Sequence, residues 1–203
     1  MITIKNRVIP VITINDLDDA VPLARTLVQA GLVSLEITLR TDCALAAITA
    51  MREALPDAII GAGTVRTAHD VLAAIDAGAQ FLVTPGTTPA LLEALQKTKE
   101  ALLILPGCAT LSEAMRLYDH GFSSLKFFPA MAMGGIATLK SFAGPMPDIQ
   151  FCPTGGITQE NAAEFLALAN VSHIGGSWML PNDALKAKHW PTIHALAEQA
   201  AHL

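Results

Sequence analysis

Residues 121–129 read GFSSLKFFP, a glycine followed by a short β-like run that is strongly apolar around Lys126. The same arrangement occurs twice earlier, at residues 31–39 (GLVSLEITL) and 78–86 (GAQFLVTPG). Each stretch follows an amphipathic helical pattern, and a glycine commonly ends an α-helix in the left-handed conformation. The three glycines are spaced by 47 and 43 residues, about two β/α units each. The sequence therefore predicts alternating strands and helices, which form a parallel sheet.

Short β-rich runs predict eight strands, at residues 7–13, 33–39, 58–61, 81–84, 102–105, 124–128, 149–152 and 173–175. Helical patterns lie between them, and the residues suited to cap their first turns are Asn15, Asp16, Thr67, Thr110 and Thr158. Eight such units predict a single-domain TIM (β/α)8 barrel over residues 1–203, with shorter loops than the usual barrel of ~250 residues. Pro10 is the weakest point of this assignment, because it removes one donor from the first strand.

The alternative architecture is an open doubly wound sheet with a dinucleotide site. Its best evidence is Gly61-Ala62-Gly63, but the third glycine of that fingerprint would fall at Arg66. The incomplete motif favours the barrel.

The composition and charge of the chain limit the classes of function that it can have. About half of the residues are apolar, 15% are charged and the net charge is −5, without a basic face for nucleic acid or a membrane anchor. The first seven residues contain no apolar run of a signal peptide. We expect Cys43, Cys108 and Cys152 to be reduced thiols of a cytoplasmic protein. The six histidines show no metal-ligand spacing, so we expect neither a metal nor another cofactor.

Lys126 is unusual for its surroundings. A strand of a barrel faces either the helices or the interior, and neither side favours an ammonium group. Lys126 could pair with a carboxylate or extend toward a loop. It lies near the carboxyl end of the sixth predicted strand, where barrel active sites gather. Burial favours the uncharged amine, the form that attacks a ketone to give a Schiff base.

Glu36 occupies the matching place in the second predicted strand, since Glu36 and Lys126 each lie five residues after a helix-ending glycine. Alternate strands of a barrel contribute to the same layer of side chains, so both residues should face the interior at one level. Val83 and Gly175 take that place on the fourth and eighth strands. Glu36 could serve only as a partner for Arg40 or Lys126. It could also carry protons while Lys126 acts as the nucleophile.

Two glycine pairs follow the last two predicted strands, in residues 154–157 (TGGI) and 175–177 (GGS). The backbone N–H groups after strands 7 and 8 form the usual phosphate site of a barrel. Either pair alone could serve a plain turn. Together they predict phosphate binding.

These segments resemble the bifunctional bacterial family that cleaves 2-keto-3-deoxy-6-phosphogluconate (KDPG) and 4-hydroxy-2-oxoglutarate (KHG). The resemblance runs in order from about Val8 to the end of the chain. Its motifs are residues 35–41 (LEITLRT), 61–65 (GAGTV), 126–130 (KFFPA), 152–157 (CPTGGI) and 175–178 (GGSW).

The resemblance implies a metal-independent class I aldolase and a homotrimer of (β/α)8 barrels. It implies a Schiff base on Lys126 and acid/base catalysis by Glu36. The residues that it implies for substrate binding are Arg40, Thr64 and Thr154 around the carboxylate, Phe128 in the pocket wall, and Gly155, Gly156 and Ser177 at the distal phosphate or carboxylate. Residues 131–133 (MAM) depart from the family pattern, which often has an acidic residue there, and this bears on aldehyde preference.

Three other functions fit parts of the sequence. A galactonate-type aldolase shares much of the scaffold, although Arg40 and the intact residues 153–156 (PTGG) favour the gluconate branch. A phosphate-binding isomerase or synthase would use Lys126 only electrostatically. A catalytically silent binding protein would need Lys126 or Glu36 to be paired and unreactive.

Overall fold

The computed structural model describes residues 4–203, and strands and helices alternate along them. The strands are β1 Val8–Ile12, β2 Ser34–Thr38, β3 Ile59–Gly63, β4 Phe81–Val83, β5 Leu103–Leu105, β6 Gly107–Cys108, β7 Ser124–Phe127, β8 Gln150–Pro153 and β9 Ile174–Gly176. The helices are α1 Ala20–Gln29, α2 Ala44–Ala54, α3 Ala68–Asp76, α4 Pro89–Thr98, α5 Leu111–Asp119, α6 Gly135–Ala143, α7 Gln159–Leu166, α8 Asn182–Lys186 and α9 Trp190–Ala201, and a 3₁₀ turn at Leu17–Asp19 precedes α1. Within residues 4–203, no helix has both the length and the apolar character needed to cross a bilayer.

The strands form a curled parallel sheet of six strands, in the order β5-β4-β3-β2-β1-β9, and a parallel sheet of three, in the order β6-β7-β8. All eight predicted strands are confirmed, with bounds that differ by one or two residues. The short β6 was not predicted. Pro106 separates it from β5, and because proline has no N–H group the ladder divides there. On the other side, one bridge between Thr154 and Gly175 joins the two sheets.

Pro10 lies within β1 without ending the strand. Val8, Ile9 and Pro10 pair with β9, whereas Val11 and Ile12 pair with β2. The pairing partner of β1 therefore changes from β9 to β2 after Pro10. The proline does not interrupt the strand, although the sequence made it the weakest point of the assignment.

Local sequence signals account for the helix ends. Thr67 and Thr110 each accept a hydrogen bond from the N–H group three residues later, and an acidic residue at that position bonds back to the cap. Such a capping box satisfies two free donors of the first turn. At the other end of the helices, Gly31, Gly78 and Gly121 have φ values of 97°, 90° and 86°. The predicted left-handed glycines are confirmed.

The buried side chains form two clusters that lie on opposite faces of the strands. The larger cluster joins strand residues such as Leu35, Ile37 and Ala62 to the helices. The smaller cluster contains Ile4, Ile9, Ile59, Phe81, Val83, Leu105 and Cys152, and no helix contributes to it. Successive residues of a strand point to opposite faces. Glu36, between Leu35 and Ile37, is therefore directed away from the helices and toward the inner side of the curled sheet.

Candidate active site

A buried ion pair lies on the inner side of the strands. Lys126 Nζ donates a hydrogen bond to Glu36 Oε1 at 3.2 Å, and the two side chains are only 6% and 3% exposed. Among residues 4–203, these two are the charged residues in the buried class. An ion pair taken out of water must be well placed to offset its loss of hydration. A buried amine beside a carboxylate can act as a nucleophile with a proton carrier in contact.

The pair joins the two sheets. Glu36 lies in the middle of β2, between Val11 of β1 and Gly61 of β3. Lys126 lies in β7, between Gly107 of β6 and Cys152 of β8. The sequence analysis placed Glu36 and Lys126 at one level on the inner face, and their contact confirms this placement.

Phe128, the residue after β7, covers the lysine. Its ring centroid lies 5.4 Å from Lys126 Nζ, within the range of a cation–π contact. The same ring packs against Gly155, where an added Cβ would come within 3.2 Å of it. Phe128 thus connects the ion pair to the glycine turn after β8.

Arg40 and Thr64 lie together beyond the carboxyl ends of β2 and β3. Arg40 Nε donates to Thr64 Oγ1 at 3.3 Å, and the Arg40 side chain is exposed. Thr64 has a φ of 59°, a left-handed conformation that is uncommon for a residue with a β-branched side chain. Such strain costs of order 1–3 kcal/mol and clusters at functional sites. The Arg40 guanidinium therefore lies at the carboxyl ends of the strands, and its planar N–H donors suit a carboxylate.

The turn after β8 and the end of β9 form the next part of the rim. Thr154 is buried, and its side chain fills the space beside Gly175 that a Cβ would otherwise occupy. Gly155 and Gly156 follow with φ values of 98° and 77°, and Asn161 in the first turn of α7 donates to Gly156 O at 3.1 Å. Ser177 follows β9 and is exposed. The predicted glycine segments therefore lie next to each other at the carboxyl ends of adjacent strands.

Cys152 is a further side chain on the inner face that the sequence analysis gave no role. Burial raises the pKa of its thiol to about 12, and the charges of Lys126 and Glu36 act on the pKa in opposite directions. Cys152 therefore lies within the electrostatic range of the ion pair as a neutral thiol. Its place opposite Lys126 follows from the pairing of β7 with β8, which the sequence does not specify.

The candidate residues gather at one end of the strands. Lys126, Glu36 and Phe128 are in contact with or near each other, and Arg40 contacts Thr64 as a separate pair. Within residues 4–203 no three His, Cys, Asp or Glu side chains are arranged as a metal-binding group.

The family model described as "Aldolase: KDPG and KHG aldolase" matches residues 1–196. The chain belongs to the KDPG and KHG aldolase family. The resemblance inferred from the motifs is confirmed.

Similar proteins cover nearly the whole chain. The 2-dehydro-3-deoxy-phosphogluconate aldolase of Pseudoalteromonas atlantica is 48% identical over 193 residues, which are 95% of this chain and 89% of the relative. The KHG/KDPG aldolase of Escherichia coli strain K12 is 46% identical over 95% of this chain and 90% of its own. KDPG aldolase from Legionella pneumophila, solved with pyruvate captured at low pH as a covalent carbinolamine intermediate, superimposes with a TM-score of 0.93. It is 44% identical, and the match covers 97% of this chain and 94% of that one.

Proposed function

We propose that this member of the KDPG and KHG aldolase family is a class I aldolase with Lys126 as its Schiff-base residue. It cleaves 2-keto-3-deoxy-6-phosphogluconate to pyruvate and glyceraldehyde 3-phosphate, and 4-hydroxy-2-oxoglutarate to pyruvate and glyoxylate. The observation that carries the proposal is the buried contact of Lys126 Nζ with Glu36 Oε1 at 3.2 Å. The carbinolamine captured in the Legionella relative and the KHG/KDPG name of the Escherichia coli relative support it.

The reaction begins when Lys126 passes a proton to Glu36 along their hydrogen bond. The free amine attacks the C2 ketone, and Glu36 then gives its proton to the carbinolamine hydroxyl, which leaves as water to give an iminium ion and a Glu36 carboxylate. Glu36 removes the proton of the C4 hydroxyl, directly or through a water molecule. The C3–C4 bond then breaks, and its electron pair moves into the iminium system to form an enamine while the aldehyde leaves. Protonation of the enamine at C3 and hydrolysis release pyruvate and restore Lys126.

The rim residues hold the substrate in this scheme. Arg40 presents two N–H groups in one plane, which suits the carboxylate next to the reacting ketone. Thr64 orients Arg40 through their hydrogen bond, and Thr154 places a hydroxyl at the same end of the strands. Phe128 forms the wall of the pocket beside Lys126, where its ring favours contact with a methylene group of the substrate over contact with water.

The distal end of the substrate lies at the glycine segments. Gly155 and Gly156 adopt positive φ values just before α7, and backbone N–H groups at a helix start favour an anion. Ser177 adds a hydroxyl from the end of β9. A phosphate and a carboxylate are both anions that such a site accepts, which accounts for both proposed substrates.

The proposal is tested by supplying each 2-keto acid to the purified chain and coupling pyruvate release to NADH oxidation with lactate dehydrogenase. We expect turnover of both substrates, and a loss of roughly 10⁴-fold or more in Lys126→Arg, because a guanidinium group cannot form the imine. Lys140→Arg is the matched control, because it makes the same substitution at an exposed lysine of α6. It should keep full activity.

The competing functions give different results in the same assay. An isomerase or synthase would release no pyruvate, and Lys126→Arg would keep part of its activity because the charge is retained. A silent binding protein would bind the keto acid without turnover. Faster cleavage of the phosphogalactonate isomer would assign the chain to the galactonate branch.

We also propose that the whole chain, residues 1–203, closes into one (β/α)8 barrel. Supporting this, Thr154 bridges Gly175 at one junction of the two sheets, and at the other Gly107 N of β6 donates to Thr84 Oγ1, the residue after β4, at 2.8 Å. Hydrogen exchange with mass spectrometry tests the closure. Amides of β5, β7 and β9 should exchange as slowly as those of β2, whereas fast exchange confined to β5 and β9 would indicate open edges.

A homotrimer in the cytoplasm completes the proposal. Supporting assembly, Leu72 of α3 is 61% exposed and borders an apolar groove with Val71, Ala90 and Ala94. Light scattering should give about three times the 21.3 kDa of the chain, and a single-chain mass would contradict the trimer. The free thiols Cys43, Cys108 and Cys152 are consistent with a reducing compartment.

A further inference from the structure

Two glycines of β3, Gly61 and Gly63, face the inner side of the curled sheet. Ala62 between them belongs to the helix-facing cluster, so its two neighbours point the other way. Neither glycine has a positive φ, so neither is needed for backbone conformation. Their role has to be sought in the space that a missing Cβ leaves.

The two spaces are filled by different side chains. At Gly61 the ring of Phe81 occupies the place of a Cβ. At Gly63 the Glu36 side chain occupies it: an added Cβ would lie 2.6 Å from Glu36 Cγ, 2.7 Å from Cδ and closer still to Oε1. Real Cβ atoms essentially never approach other atoms so closely.

The direction of the Glu36 side chain follows from this space. The backbone of Glu36 pairs with Gly61, yet its carboxylate lies against Gly63, which pairs with Thr38. The side chain therefore leans toward the carboxyl end of the strands, where the candidate site lies. Oε1, the atom that a Cβ at Gly63 would displace most, is the atom that accepts the hydrogen bond from Lys126 Nζ.

We infer that Gly63 is a positioning residue of the active site, which acts by leaving a slot in β3 for the Glu36 carboxylate. This inference rests on the proposed function, because it concerns the proton transfers assigned to Glu36. Gly63 does not touch the substrate in this account. It holds the carboxylate at the distance from Lys126 and the reacting carbon that proton transfer requires.

The test separates imine formation from proton transfer. Gly63→Ala is compared with the wild type in two assays with pyruvate: borohydride trapping of the imine on Lys126, and exchange of the C3 protons for deuterium followed by NMR. Trapping carried to completion measures how much imine Lys126 can form at any rate, whereas the rate of exchange depends on a base placed at C3. A displacement of about 1 Å can cost about a hundredfold. We expect exchange to fall about a hundredfold in Gly63→Ala and trapping to stay within about threefold.

Gly61→Ala is the matched control, since it adds the same methyl group to the same face of the same strand. Its Cβ meets Phe81, so overpacking should lower the midpoint of urea denaturation, while exchange per folded molecule stays near that of the wild type. An equal loss of exchange in Gly61→Ala and Gly63→Ala would mean general distortion of the sheet, and would overturn the inference.

A second variant keeps the test decisive if Gly63→Ala folds poorly. Glu36→Ala removes Cγ, Cδ and Oε1, so that the added methyl group has none of these atoms to displace. Gly63→Ala should therefore change the residual exchange by less than about threefold in the Glu36→Ala background, as expected for residues that act through one contact. A further hundredfold loss in that background would contradict the inference.

The outcomes also separate the inference from the function on which it rests. A wild type that neither traps nor exchanges pyruvate would overturn the proposed function, and the role of Gly63 with it. A wild type that does both, with Gly63→Ala exchanging at the same rate, would overturn only the role of Gly63.

Discussion

Lys126 and Glu36 are 90 residues apart in the chain, yet Lys126 Nζ donates to Glu36 Oε1 at 3.2 Å in a buried contact between the two sheets. Two buried charges are costly to hold without their partner, whereas an apolar pair of similar volume is often equally or more stable. The contact therefore has a role in the proposed reaction and an effect on the free energy of unfolding that can be measured.

The first prediction concerns that cost. Lys126→Met leaves the Glu36 carboxylate buried without its partner, and should lower the free energy of unfolding by about 3–5 kcal/mol. Adding Glu36→Leu removes the unpaired charge and should restore stability to within about 1 kcal/mol of the wild type. Urea denaturation measures both. A double variant less stable than Lys126→Met would show that the pair is itself a main source of stability.

The second prediction concerns Arg40. Lysine keeps the charge but not the planar pair of donors, so Arg40→Lys should raise KM for the 2-keto acid about tenfold and leave kcat within about threefold. Arg25→Lys on the exposed face of α1 is the control and should change neither constant. A fall in kcat with an unchanged KM would instead assign Arg40 to the chemical step.

The third prediction concerns the thiols. Burial raises the pKa of Cys108 to about 12, with the Glu113 charge contributing, and burial likewise raises the pKa of Cys152 to about 12. The thiolate is the reactive form, so iodoacetamide near pH 8 should leave both residues unmodified in the folded protein. The half-buried Cys43 should react first. Peptide mapping before and after urea treatment gives the answer, and early alkylation of Cys152 would contradict it.

The fourth prediction concerns His173, at the amino end of β9. Burial lowers the pKa of His173, and the nearby Arg7 charge also lowers it, although a hydrogen bond from the His173 ring to the backbone carbonyl of Ile4 opposes them. The folded protein thus keeps His173 neutral at a pH where the unfolded chain already binds a proton. Its contribution to stability is complete above pH 6.5 and is lost as the pH falls from 6.5 toward the lowered folded pKa.

His173→Gln should therefore show a weaker loss of unfolding free energy as the pH falls below 6.5 than the wild type does. The carboxyl groups of Asp16, Glu113 and Glu160 have pKa values lowered from 3.8 or 4.5, so their effects fall at more acid pH. Denaturant titrations at several pH values test this. Parallel curves for the two proteins would show that His173 does not control the slope.

Much of the fold follows from local sequence signals. Thr67 and Thr110 mark helix starts because a hydroxyl and an acid three residues later satisfy the first turn. Gly31 and Gly121 mark helix ends because a left-handed φ favours glycine. Strand β6 was missed because its two residues follow Pro106 and give no periodic pattern.

Part of the candidate site could be predicted from the sequence, and part could not. Lys126 and Glu36 could be predicted to lie together because each follows a helix-ending glycine by five residues. In parallel strands of a barrel, that spacing sets how far along its strand each residue lies. The slot at Gly63 could not be predicted, because which side chain lies over a glycine depends on the rotamer of a residue on the neighbouring strand. The position of Cys152 beside the pair depends in the same way on β7–β8 pairing.

The most direct measurement is borohydride reduction of the protein in the presence of pyruvate, followed by intact mass and peptide mapping. The account predicts one reduced pyruvyl adduct per chain, on Lys126, and none in Lys126→Arg. Lys140→Arg should be modified on Lys126 as fully as the wild type. A folded protein that is exposed to pyruvate and borohydride and gains no adduct on Lys126 would contradict the Schiff-base mechanism.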